Sequence, residues 1–235
     1  MTPPRISTTV RRCDCAGLWQ RTLLVVEGET LDTTTDVRWL QGGTAFVDLR
    51  RPAQRPDFTG VRGADDLSTD QRAWLATQEG FAGHLAAVDD IFDWHRFMGL
   101  QPQDSDPDAA QMSWNGEVLV EVGVHSDYVE HWIRPDGAEP DWWAVDVGSA
   151  AGERGLLVRV GDRFGWARTG PDEVSLGTVT DGVWLITDSS LPFREGADLT
   201  VTLTRTTLTI GDLTTAGDSI TCHWTVQDSE GNVKP

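Results

Sequence analysis

Lysine is almost missing from this chain. Lys234 is the only one, so nearly every basic group is an arginine, and Tyr128 is the only tyrosine. Basic charge is outweighed, with 19 Lys and Arg against 37 Asp and Glu, for a net charge of −18. A surface this negative repels phosphate backbones and anionic lipids, so neither nucleic acid nor membrane is an expected partner. No apolar run approaches the roughly 18–20 residues of a membrane-crossing helix. Residues 1–12 are polar and proline-containing, without an apolar stretch of signal-peptide length. Cys13, Cys15 and Cys222 form an odd set rather than a disulfide framework, which suits a reducing compartment. The expected location is cytoplasmic.

Several chemical signatures are missing too. There is no Gly-x-Ser-x-Gly elbow, no phosphate-cradling glycine loop and no His-Glu-x-x-His. Cys13-x-Cys15 with Cys222-His223 would make a thiolate-rich metal site only if the termini met, and its spacing is tighter than structural zinc uses. Nicotinamide chemistry on a Rossmann fold does not suit a chain with so few helix signals. No metal or organic cofactor is expected.

What is present is strand after strand. Residues 36–41 and 44–50 flank Gly42-Gly43, and residues 111–114 and 117–125 flank Asn115-Gly116, the strongest short hairpin signal in the chain. Gly161-Asp162 joins residues 155–160 to 163–169. Leu199, Val201 and Leu203 alternate with threonines, as in a strand with one buried face. Roughly 13–15 short strands at spacings of about 8–12 residues predict a sandwich or barrel, and consecutive hairpins favour an up-and-down barrel. Ser68 with Gln71 reads as a capping box for one short helix near 68–78. The expected fold is therefore all-β: an enlarged antiparallel up-and-down barrel over residues 16–235, after a flexible segment 1–15. A split into two subdomains near 148–154 is the alternative.

Residues two apart in a strand share a face. Val37, Trp39 and Gln41 fall together, as do Phe46, Asp48 and Arg50, and the companion face of Ala45, Val47 and Leu49 is also apolar. Phe92, Trp94, Arg96, Met98 and Leu100 make an apolar row with one arginine, in competition with the face that carries His95. A buried arginine needs a carboxylate or an anionic ligand. Glu121 shares a face with Leu119, opposite an all-valine face that reads as packing. Tyr128, Glu130 and Trp132 align after the turn. A carboxyl group in a tryptophan-lined cavity has a raised pKa and suits acid–base work, while a tyrosine hydroxyl can donate to a developing oxyanion. The bland alternative is that these charges form ordinary surface pairs.

The first strand opens with Gly17-Leu18-Trp19, which resembles the opening of the lipocalin-like (calycin) barrels. That resemblance implies a tryptophan closing one barrel end beneath an arginine from a late strand, for which Arg205 is the candidate. It also implies a pocket for a small, mostly apolar molecule. It does not imply catalysis.

The expected function is a small-molecule-binding barrel that is a cofactor-independent lyase, isomerase or cyclase. Glu121, Tyr128 and Glu130 would carry protons. Arg50 and Arg96 would hold an anionic substrate group. Trp39, Gln41, Asp48, Trp94 and Trp132 would line the cavity. The alternatives are a non-catalytic carrier or sensor of a hydrophobic ligand, and a protein-interaction module built on an exposed Trp142-Trp143. A homodimer stays open.

Overall fold

The computed structural model describes residues 9–103, 105–135, 141–214, 216 and 218–233. Its strands run in two sets. The first comprises β1 (Gly17–Val26), β2 (Thr30–Asp32), β3 (Asp36–Gln41), β4 (Ala45–Arg51), β5 (Glu79–Val88), β6 (Ile91–Gly99), β7 (Ala109–Asn115), β8 (Val118–Gly123) and β9 (Tyr128–Ile133). The second comprises β10 (Trp142–Gly148), β11 (Arg154–Val160), β12 (Arg163–Arg168), β13 (Glu173–Thr180), β14 (Val183–Ser189), β15 (Asp198–Leu203), β16 (Thr207–Leu213) and β17 (Ser219–Gly231).

Each set closes an antiparallel ring of eight strands. In the first, β1 pairs with β3 along Gly17–Gln20 and with β2 along Leu24–Val26, while β9 lies on its other side and closes the circle. The second runs as a meander from β10 to β17, which pair directly. So the expected up-and-down barrel is there twice, not once in enlarged form. Eight strands give an interior that side chains can fill or that holds one small ligand, whereas sixteen in one ring would enclose a channel. The passage between rings falls between Ile133 and Trp142. The 148–154 stretch is the turn joining β10 to β11, with Ser149 N bonded to Glu153 O at 2.9 Å.

The short helix α1 (Thr69–Leu75) starts where its box predicts: Ser68 Oγ accepts from Gln71 N at 3.2 Å, and Gln71 Oε1 accepts from Ser68 N at 2.8 Å. Asn115-Gly116 makes the β7–β8 turn, Gly116 supplying the left-handed φ of +63°. Residues 9–15 are not a free lead-in. Thr9 bridges Ser113, Val10 and Cys15 are buried in the first barrel, and Arg12–Cys15 form a 3-10 turn. No helix of the described residues is long and apolar enough to cross a membrane.

The barrels pack on each other. β4 is buried on both faces: Phe46 and Asp48 point into the first barrel, while Ala45, Val47 and Leu49 pack against Leu156, Val158 and Val174 of the second. Gly165 lets the strands approach, since a Cβ there would sit 2.9 Å from Val47 Cβ. Polar contacts frame this seam. Glu230 accepts from the backbone N–H of Thr44 and Ala45, each at 2.8 Å, and His84 Nε2 lies 3.0 Å from Asp146 Oδ1. Trp142 and Trp143 are not an exposed loop. Both lie half-buried on β10, and Trp142 packs into the seam.

Candidate functional site in the first barrel

The far end of the first barrel is closed by indoles. Trp19 stacks near Trp39 at 5.9 Å and Trp114 at 6.0 Å. Arg134, just past β9, lies over the Trp19 ring at 4.2 Å, and its Nη2 donates to the carbonyls of Asp14 and Ala16. Arg205, the arginine expected there, instead sits exposed between β15 and β16 of the second barrel. It follows an alternating strand, but one that belongs to the other ring.

The opposite end opens into a cavity of about 640 Å³, within the usual range for small-molecule sites. Nine of the ten candidate side chains line it: Trp39, Asp48, Arg50, Trp94, Arg96, Glu121, Tyr128, Glu130 and Trp132. Gln41 does not. It is buried deeper, where Oε1 accepts from Trp39 Nε1 at 3.1 Å and Nε2 donates to the Thr44 and Ala45 carbonyls.

Local strand geometry explains these placements. Alternation sends Glu121 inward with Leu119, so the valines of β8 form the outer face, and Val122 is exposed rather than packed. In β6 a bulge falls between the pairs Ala82–Met98 and Gly83–Arg96. Phe92 and Trp94 therefore face the first core while Met98 joins the seam, which breaks the row expected from simple alternation. Arg96 lines the cavity; His95 is exposed.

Glu121 and Glu130 are direct cross-strand partners, an arrangement that two ionised groups disfavour. Their surroundings differ. Glu121 Oε1 accepts from Tyr128 Oη and Oε2 from Trp132 Nε1, both at 2.9 Å. Burial and then the charge of Glu130 raise its pKa well above the ordinary carboxyl value. Glu130 Oε1 instead meets two guanidinium groups, Arg21 Nη1 at 2.6 Å and Arg50 Nη1 at 3.5 Å. Asp48 holds Arg50 Nε at 3.0 Å, yet burial leaves its own pKa raised. Burial, the Glu121 charge and the Glu121 hydrogen bond all push Tyr128 up, so its hydroxyl stays protonated. A carboxyl of raised pKa, an ion-paired carboxylate and a phenol thus share a space walled by Trp39, Trp94 and Trp132.

Three contributors escaped the sequence reading. Arg21 sits beneath Glu130 and also binds Asp32 at 3.0 Å. It lies two residues after Trp19, so alternation alone could have found it. Phe81 carries Arg96 over its ring at 3.5 Å and Arg50 at 4.9 Å. Asp108 pairs with Arg96 Nε at 3.0 Å from the polar loop before β7. No periodicity marks a loop residue. Cys15, buried nearby, has its thiol pushed up to about 12 by burial, which argues against nucleophilic use.

The chain is similar in fold to the crystal structure of an uncharacterised protein, YLR301w, from Saccharomyces cerevisiae. The match has a TM-score of 0.52 at 13% identity and covers 91% of this chain and 98% of that one. No family model matches the chain, and no curated protein matches it. At that identity the likeness concerns architecture alone.

Proposed function

We propose that the first barrel binds a small molecule and moves a proton on it without a metal or organic cofactor, in a lyase, isomerase or cyclisation reaction. The observation that carries this reading is the cross-strand pair of Glu121 and Glu130, in which burial and the neighbouring charge raise the Glu121 pKa while guanidinium groups hold Glu130. Divergent neighbours of this kind separate acid from base. Glu121 would act as the acid. When protonated on Oε1 it can donate to Tyr128, freeing the tyrosine hydrogen for a developing oxyanion or leaving group. Glu130, its free oxygen toward the cavity, would accept the proton withdrawn from the substrate. Proton count is restored when Glu130 returns its proton to solvent and Glu121 is reprotonated.

The first barrel reads as calycin-like on the same footing. Gly17-x-Trp19 opens its first strand, and Arg134 covers Trp19 at the end of its last. A carrier of hydrophobic ligands would favour an apolar lining, and the ionisable lining supports the enzyme reading over it.

The test begins with a thermal-shift screen for cavity ligands, followed by incubation of each in D2O with wild type, Glu121→Gln and Glu130→Gln. Wild type should exchange deuterium into a bound compound or convert it. Each variant should lose about 100-fold or more in that rate while binding changes little. Equal rates in all three proteins would remove both glutamates as proton carriers. Ligands that bind wild type but never exchange or react would leave the carrier reading in its place.

A further inference from the structure

We infer that the ligand of the first barrel's cavity is a small organic cation, a protonated amine on an apolar body. The inference rests on the reading of that cavity as the ligand site. Three independent features lead to it.

First, both cavity arginines are already occupied. Arg50 is held by Asp48 and Glu130, Arg96 is held by Asp108, and both guanidinium groups stack on Phe81. An anionic substrate group reaching either guanidinium would lie beside the carboxylate already paired to it, and the like charges would repel. The carboxylates of Glu27, Asp48, Asp106, Asp108, Asp127 and Glu130 line the cavity and outnumber the guanidinium groups of Arg21, Arg50 and Arg96 that pair with them. The field at the mouth is negative, and a chain of net charge −18 reinforces it.

Second, the cavity leaves carboxylate acceptors open. Asp48 and Glu130 have side chains only 3% and 4% exposed. Each spends one oxygen on its arginines, yet Asp48 Oδ2 and Glu130 Oε2 receive no hydrogen bond from any described residue. Both residues line the cavity. These open oxygens can each take a charge-assisted hydrogen bond from an ammonium N–H.

Third, the walls suit a cation. Trp39 meets Trp94 at 67° and Trp132 at 69° between ring planes, with centroids 6.0 and 5.6 Å apart. All three indoles line the cavity, and a cation is favoured beside indole π-clouds. A positive charge on the ligand also acidifies neighbouring C–H and N–H bonds, which eases the proton removal assigned to Glu130.

The experiment uses three probes with one phenyl body: 2-phenylethylammonium, 2-phenylethanol and 3-phenylpropanoate. Each is titrated into the full-length protein by calorimetry, at low and at physiological salt. The ammonium should bind about tenfold or more tightly than the alcohol, the carboxylate weakest, and added salt should narrow the gap. Asp48→Asn and Glu130→Gln should each shrink the ammonium's advantage while alcohol binding persists, which shows that the variants remain folded. If the alcohol or the carboxylate binds as tightly as the ammonium, the cation inference is overturned, while the D2O experiment still judges proton transfer. If none of the three binds, both the inference and the cavity's assignment as a ligand site fail.

Discussion

Replacing Arg21 with methionine should unsettle the cavity floor more than any surface change. The Arg21 side chain is 5% exposed and bridges Glu130 at 2.6 Å and Asp32 at 3.0 Å. Methionine keeps much of the volume but removes the charge. Glu130, 4% exposed, would then keep only Arg50 at 3.5 Å, a guanidinium it shares with Asp48. Breaking a buried pair by removing one partner costs about 3–5 kcal/mol, mostly from the charge left behind. For a chain of this size that is a fall in Tm on the order of 10 °C. The assay is urea and thermal unfolding at neutral pH of Arg21→Met, Glu130→Gln and the double variant. The double variant should recover stability relative to Arg21→Met, because no charge is then stranded. A loss below about 1 kcal/mol, the scale of an exposed pair, would refute the reasoning. So would an equal loss with and without the Glu130 carboxylate.

The remaining predictions concern pH and packing. The folded pKa of Glu121 is raised, so the stabilisation linked to its proton is complete below the ordinary carboxyl value and lost as pH climbs through the folded one. Glu121→Gln should therefore match wild type near pH 4 and exceed it in alkaline buffer; parallel stability curves would contradict this. His84 is raised by its hydrogen bond to Asp146, against burial. Its contribution to the seam should be full below the ordinary imidazole value of about 6.5 and fade as pH rises through the folded one. In His84→Ala that slope should vanish from the melting temperature. Gly165→Val should cost about 1–3 kcal/mol by overpacking against Val47, read by urea denaturation, and an unchanged midpoint would mean the seam yields freely.

Much of this architecture was readable because it is written locally. Ser68 and Gln71 mark a helix start, Asn115-Gly116 marks a turn, and period-two alternation sends Glu121, Tyr128 and Glu130 to one side of their strands. The lining of the candidate cavity is legible for the same reason, since strands that alternate around a ring must deliver one face of each to a common interior. What depends on distant pairing was not legible. Whether a hairpin series closes once or twice is decided by β9 meeting β1 and β17 meeting β10, and no local signal encodes that. Hence Arg134, and not Arg205, covers Trp19. The apolar outer face of β4 hinted at a cover without saying that a second barrel supplies it. The bulge before Met98 turned one side chain to the opposite face, and Asp108 entered from a loop. The second barrel's interior was likewise hidden: Arg168, Glu173, Arg194 and Asp212 form a buried, charge-balanced cluster drawn from four separate segments.

The central claim is that burial and a neighbouring carboxylate hold the Glu121 pKa well above the ordinary range beside an ion-paired Glu130. Its most direct test is a ¹³C NMR pH titration of glutamate side-chain carboxyl groups in the intact protein, with the Glu121 resonance assigned by its absence in Glu121→Gln. This carbon should titrate well above the ordinary value of about 4.3. A midpoint at or below that value would contradict it.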